Sequence, residues 1–134
     1  MSESPAAPKS FKLVHGVALF LLFLMMAQPT FDNINALITG TMGMGEVSIE
    51  VTFGDMVLHL IATIVGWVGL WWFYKRQKRG AYTSIAAHLL GFTAVMTQTP
   101  EMMEIMPPAA IAVFFALMFA VALGPIVKFK DQYS

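Results

Sequence analysis

The sequence predicts an all-α integral membrane protein: one bundle of four transmembrane helices with both termini on the cytoplasmic, inner side. Hydrophobic residues make up 57% of the 134 residues and charged residues only 12%, about half the charged fraction of a typical soluble domain. So few charges could not cover the surface of a soluble globule, which makes lipid the expected surroundings. All basic residues, moreover, fall into three short segments of the chain.

Four apolar segments have the length of about 20 residues that a membrane-spanning helix needs. They cover residues 11–28, 53–74, 81–98 and 107–127, within a single membrane domain of 1–134. The third segment is the least hydrophobic. The fourth begins at Pro107 and Pro108, which suit a helix start because the amide hydrogens that proline lacks would be unpaired there.

The eight lysine and arginine residues test this topology independently. They precede span one, separate spans two and three, and follow span four: Lys9, Lys12, Lys75, Arg76, Lys78, Arg79, Lys128 and Lys130. The other two connections contain acidic residues but no basic ones. Four alternating spans place all three basic segments on one side of the membrane, and the positive-inside rule assigns that side to the cytoplasm.

Residues 1–29 also have the basic start and apolar centre of a signal peptide. The bulky pair Met25-Met26 before Ala27 disfavours cleavage, because a cleavage site requires small residues. We therefore expect the segment to remain as span one.

The outer loop over residues 29–52 is the longest predicted connection. Its first part, FDNINALI, could form one or two helical turns at the membrane surface. The later stretch VSIEVTF alternates apolar and polar residues like a short strand. Since a lone strand is unstable, it would need a partner such as another subunit. We expect instead an irregular lead-in to span two.

Composition also excludes several classes of function. A formal net charge of zero gives nucleic-acid binding no electrostatic support. The absence of cysteine excludes disulfides, thiolate metal sites and iron–sulfur clusters. No carboxylate lies in the middle of a predicted span, which argues against an ion-coupled transporter. Phosphate-binding and hydrolase motifs are also absent from the sequence, so catalysis has little support.

Stripes of small residues indicate how the helices pack. Span four carries Ala112, Ala116, Ala120 and Gly124 at a spacing of four residues. Spans two and three carry comparable stripes, which include Gly66 and Gly69 in one and Ser84 and Gly91 in the other. Small residues permit close approach of helix backbones in lipid. The stripes therefore predict a compact bundle, a contact with another subunit, or both.

All three histidines lie within predicted spans, where ionisable side chains are costly and often functional. We expect His88 to face the bundle interior and His15 to reach the lipid headgroups. Together they could hold a haem between them, although their depths differ by roughly 7 Å at 1.5 Å per residue. His59 lies nearer the outer end, on the same face as Asp55, so these two could form a hydrogen-bonded pair or half of a metal site.

Most of the 11 methionines lie toward the predicted outer side. Thioether sulfur is a soft ligand that suits monovalent copper. The short spacings that could chelate copper involve Met42, Met44, Met102, Met103 and Met106. Ordinary packing is the alternative, because methionine fills irregular apolar space.

These observations predict a non-catalytic accessory or structural subunit of a larger membrane complex, of respiratory, photosynthetic or oxygenase type. Its expected partners are the lipid bilayer and other membrane subunits or further copies of the chain, and not nucleic acid. The first alternative is a copper-handling or small-solute membrane protein that uses Asp55, His59 and the outer methionines. The second is a haem-binding membrane electron carrier that uses His15 and His88.

Overall fold

A computed structural model describes residues 6–44, 47–98, 104 and 106–134. Four long helices dominate this part of the chain: α1 (Lys9–Thr39), α2 (Phe53–Tyr74), α3 (Lys78–Gln98) and α4 (Pro108–Lys128). A hairpin of β1 (Thr41–Met44) and β2 (Val47–Glu50) joins α1 to α2, and a short 3-10 turn over Lys130–Gln132 follows α4. The predicted helical character is confirmed.

Three helices in the described part are long and apolar enough to cross a membrane. They are α1, α2 and α4, which is consistent with membrane association. The helix α3 has enough residues but more polar ones, including Lys78 and Arg79 in its first turn. It corresponds to the third predicted span, the least hydrophobic of the four.

The first helix is longer than predicted, because it continues through Pro29 to Thr39 instead of ending near Gln28. Proline removes one backbone donor from a helix, so the carbonyl of Met25, four residues before Pro29, lacks its usual partner. The next residue, Thr30, donates its side-chain hydroxyl to the carbonyl oxygen of Met26 at 2.7 Å. The helix ends at Gly40, whose φ of 72° lies in the left-handed region that glycine adopts without strain.

The expectation of an irregular lead-in to α2 is wrong, because Val47–Glu50 pairs with Thr41–Met44 in a β-hairpin. The strands pair antiparallel, with Thr41 opposite Glu50 and Met42 opposite Ile49. The partner that VSIE needs is therefore the segment just before it. The helix α2 follows directly, because Thr52 and Asp55 cap its start reciprocally through side chain and backbone at 3.3 Å each way.

Close packing of α2 on α3 depends on small residues, as their stripes predict. A Cβ atom added to Gly69 would lie only 2.7 Å from the backbone nitrogen of Ser84. No larger residue fits there unless the two helices separate. The stripes of α2 and α3 thus face each other inside the bundle.

An aromatic cluster closes one end of the bundle, where α1 begins, α2 ends and the 3-10 turn lies. Its rings belong to Phe11, His15, Phe73, Phe129 and Tyr133. At the same end, the backbone of Ser134 donates to the carbonyl of Arg76 at 2.9 Å and accepts from the amide of Lys78 at 2.7 Å. All three basic segments of the chain therefore meet at this end, which we call the basic end.

The last helix packs on the others through its second half. The buried residues of α4 are Met118, Ala122, Pro125 and Ile126. Its first half is mostly exposed, including Val113 and Phe114. The small-residue stripe of α4 also faces outward, and a Cβ added to Gly124 would meet open space. The start of α4 is thus largely exposed, although the ring of Phe115 packs edge-on against Phe92 of α3 with centroids 5.1 Å apart.

Candidate functional site

A cavity of about 320 Å³ lies between the helices, toward the end opposite the basic end. All four helices contribute to its wall, together with Met42 of β1 and Met106 just before α4. The side chains that can bind ions or donate and accept hydrogen bonds are Asp32, Asn33, His59, Thr63 and His88. Most of the remaining wall is apolar, so the cavity suits an apolar occupant with few polar groups.

His88 has the most distinctive geometry among the residues of this wall. Its Nδ1 lies 2.7 Å from the backbone carbonyl oxygen of Ser84, one turn earlier in α3. A carbonyl oxygen only accepts, so Nδ1 carries the hydrogen, and Nε2 of the neutral ring is an acceptor. Nε2 is buried and has no hydrogen-bond partner among the described residues.

A polar network between α1 and α2 borders the cavity. Asn33, only 4% exposed, donates to the Thr63 hydroxyl and, at 3.3 Å, to the backbone carbonyl of His59. The Thr63 hydroxyl donates to the same carbonyl at 2.8 Å. Nearby, Trp67 Nε1 donates to the Thr30 hydroxyl at 2.9 Å. Such bonds between helices hold the cavity wall in place.

The structure brings together some of the predicted metal ligands. Met42, His59 and Met106 line the cavity, where Met26 and His88 join them. Met44 lies on β1. Met102 and Met103 lie outside the described residues. Asp55 occupies the cap at the start of α2, where its carboxylate accepts from the Thr52 amide.

The two histidines proposed for haem lie in different surroundings. His15 belongs to the aromatic cluster at the basic end, where its ring stacks on Phe11 and Phe73 with centroids 5.4 and 5.0 Å apart. Its Nδ1 lies 2.8 Å from the Tyr133 hydroxyl. His15 is not among the residues of the cavity wall. The structure therefore does not bring His15 and His88 together in one site.

Among the described residues, no three His, Asp or Glu side chains are grouped so as to hold a metal ion. The cavity histidines and Asp32 therefore do not converge on one point. Sequence reasoning missed Met26, Asn33 and Thr63 as members of the site. The sequence places Asn33 in the outer loop, and only the continuation of α1 past Pro29 brings it opposite Thr63.

The chain matches no protein-family model, no curated protein and no solved structure. The fold and the site together define a class: a helical protein with three helices able to cross a membrane and a cavity between its helices.

Proposed function

We propose that this protein is a non-catalytic subunit of a larger membrane complex, with four membrane spans and both termini on the cytoplasmic side. The observation that carries the proposal is an exposed apolar face on the last turns of α1. The complex is of the respiratory, photosynthetic or oxygenase type, in which small helical subunits surround larger ones.

The contacts at the basic end support four spans. The backbone bonds between Lys78 and Ser134 tie the start of α3 to the residues that follow α4. If α4 crosses the membrane, α3 must cross as well to bring these ends together. With 21 residues, α3 is about 31 Å long and matches a hydrocarbon core of about 30 Å.

The length of α1 supports a segment outside the hydrocarbon core. Its 31 residues extend about 46 Å, roughly 15 Å more than that core. Tilt alone would have to reach about 50° to accommodate the excess, whereas helices in membranes tilt by at most about 40°. With Lys9 and Lys12 at the inner surface, the last turns of α1 extend past the outer boundary.

These last turns expose an apolar face, which we call the outer face of α1. It consists of Phe31, Ile34, Leu37 and Ile38. Phe31 is 71% exposed and Ile38 is 78% exposed, and their spacing places them on one side of a helix. Such a patch in contact with water costs about 25 cal/mol for each Å². Contiguous exposed apolar surface of this kind marks contacts with other proteins or with a membrane. Because this face extends past the hydrocarbon core, a contact with another protein fits it.

A second surface supports the same proposal within the bilayer. The small-residue stripe of α4 faces away from the buried residues Met118, Ala122 and Ile126. If this stripe faced only lipid, large apolar side chains at its positions would serve equally well. Small residues instead allow another helix to approach the backbone closely.

The proposal is tested by purifying the tagged chain from its native membranes in digitonin and identifying the proteins that accompany it. We expect stoichiometric membrane partners, and we expect the variant Ile38→Asp to recover them at least tenfold less efficiently. The matched control is Ser48→Asp, which adds the same charge at an exposed polar position outside this face, on the adjoining strand β2. Recovery of the wild-type chain as a monomer without partners would overturn the proposal.

A further inference from the structure

We propose that the basic end binds the headgroup of an anionic phospholipid. The site lies at residues 75–79, which join α2 to α3 and which we call the basic turn, and Arg76 and Arg79 donate hydrogen bonds to the lipid phosphate. This inference goes beyond the role of a complex subunit and does not depend on it. Three features carry it: the charge of this end, the fixed backbone of the basic turn, and the aromatic rings that hold its cations.

The first feature is an excess of positive charge. Residues 6–12, 75–79 and 128–134 contain all eight basic side chains of the chain and one acidic side chain, that of Asp131. The backbone bonds of Ser134 join the last two segments, and the Arg76 guanidinium lies 5.2 Å from the ring centre of Phe11 in the first. Clusters of basic residues beside membrane helices attract anionic lipids. A zwitterionic headgroup complements this end less well, because its own cation offsets the phosphate charge.

The second feature is the fixed backbone of the basic turn. The amide of Arg76 donates to the carbonyl of Phe73 at 2.8 Å, and its carbonyl accepts from the amide of Ser134 at 2.9 Å. Arg76 has a φ of 59°, a left-handed conformation that only glycine adopts without strain. An arginine at this position therefore indicates that its side chain is needed there. Because the turn is already ordered, binding a phosphate costs little further backbone entropy.

The third feature is a set of aromatic rings that hold the cations by one side. The Arg79 guanidinium lies 4.1 Å from the ring centre of Trp72, and Nζ of Lys75 lies 4.7 Å from that of Trp71. Such cation–π contacts position a cation without using its hydrogen-bond donors. Arg79 uses its Nε hydrogen on the Gln77 side chain at 2.7 Å. Its terminal nitrogens can therefore donate to two oxygens of one phosphate.

The surface of α2 favours a lipid over a free phosphate ion. Lys75 and Trp71 are exposed and begin a stripe that continues along the helix through Val68, Ile64 and Ile61. The spacing of three and four residues places these side chains on one face. An acyl chain can lie along this apolar stripe while its headgroup reaches the basic turn. Trp71, at the junction, has the amphipathic ring that is favoured at headgroup depth. A free phosphate ion would gain only the polar contacts.

The test measures lipid binding to the purified full chain in detergent micelles by native mass spectrometry. The probes are dioleoyl phosphatidylglycerol and dioleoyl phosphatidylcholine, which share their acyl chains. We expect the first phosphatidylglycerol to bind about fivefold more tightly, the factor that one cation near an anionic lipid contributes. The double variant Arg76→Gln with Arg79→Gln should remove this preference. The matched control, Lys9→Gln with Lys12→Gln, loses the same charge at exposed positions outside the basic turn and should keep it.

Three results would overturn the proposal. Equal affinity of the wild type for both lipids would exclude headgroup recognition. Equal losses in the two double variants would show diffuse attraction by net charge instead of a site at the basic turn. Displacement of phosphatidylglycerol by excess inorganic phosphate would assign the site to a free anion; we expect none. Because the purified chain is used alone, these outcomes are independent of whether partner subunits exist.

A measurement on the wild type keeps the proposal falsifiable if the arginine double variant does not fold. The chain is placed in phosphatidylcholine bilayers that contain a small fraction of brominated phosphatidylglycerol, since bromine quenches tryptophan fluorescence on contact. Trp71 and Trp72 lie beside the proposed site. We expect stronger quenching than with brominated phosphatidylcholine at the same mole fraction. Equal quenching by the two lipids would contradict the proposal.

Discussion

Tyr133 illustrates how a single side chain fixes one end of the bundle. It is 4% exposed, and its hydroxyl lies 2.8 Å from Nδ1 of His15. Its ring packs against Phe11 and Phe73 with centroid distances of 5.5 and 5.8 Å. Burial raises the pKa of Tyr133 from its ordinary value of 10.0 to about 12, although the nearby Arg76 guanidinium acts in the opposite direction.

This raised pKa predicts a loss of stability in strong alkali. In the unfolded chain the phenol ionises near pH 10.0, whereas in the folded protein it keeps its proton until about pH 12. The folded state thus binds more protons between these values, so its free energy of unfolding falls as the pH rises through that window. Below pH 10.0 the contribution of Tyr133 to the free energy of unfolding is fully present.

The test is to measure the free energy of unfolding of the detergent-solubilised protein at several pH values, for the wild type and for Tyr133→Phe. We expect the variant to be less stable near neutral pH by about 1 kcal/mol, because it loses one buried hydrogen bond. The difference should shrink as the pH rises toward 12. Tyr82→Phe, at an exposed tyrosine, is the control, and an equal pH response in that variant would contradict the prediction.

At the scale of helices and strands, the sequence predicts three helices closely and one poorly. The bounds of α2 follow from its apolar run and the basic residues after it, and α4 starts beside its proline pair as expected. The end of α1 is missed because the apolar run that defines span one stops at Gln28, whereas the helix continues to Thr39. The actual end depends on the backbone conformation of Gly40, which composition does not reveal.

Gly40 therefore provides a prediction about the junction of α1 and the hairpin. Replacement by alanine should lower the free energy of unfolding by about 1–2 kcal/mol, because a Cβ disfavours the left-handed conformation. Gly40→Asn should cost less, since asparagine tolerates that region better. The control is Gly54→Ala in α2, which has open space around it and should change stability by less than about 0.5 kcal/mol. Equal losses at both glycines would show that the junction does not require this conformation.

At the scale of the whole molecule, the residue types of the cavity could be predicted but their association could not. The sequence predicts His59, His88, Met42 and Met106 as candidate ligands, because ionisable side chains are costly within a span and thioethers are soft metal ligands. Their association depends on strand β1, which places Met42 in the cavity wall, and on the residues around the start of α4, where Met106 and Phe114 line the same cavity. The haem hypothesis depends on the presence of two histidines within predicted spans, and this does not reveal that His15 packs against Tyr133 instead.

Membrane topology gives the final prediction, and the absence of cysteine makes it directly measurable. Single-cysteine variants are made at Gln77, at Ser134 and at Glu50, and are labelled in intact cells with a membrane-impermeant maleimide. With four spans, the cysteines at 77 and 134 share the cytoplasmic side and only the one at 50 is labelled.

If α3 lay along the surface and only three helices crossed, the cysteines at 77 and 134 would fall on opposite sides. Such a result would also contradict the hydrogen bond between Lys78 and Ser134. Labelling at 77 and 134 but not at 50 would keep four spans and reverse their orientation. The experiment therefore tests separately the number of spans, which we propose from the contacts at the basic end, and their direction, which we propose from the basic residues alone.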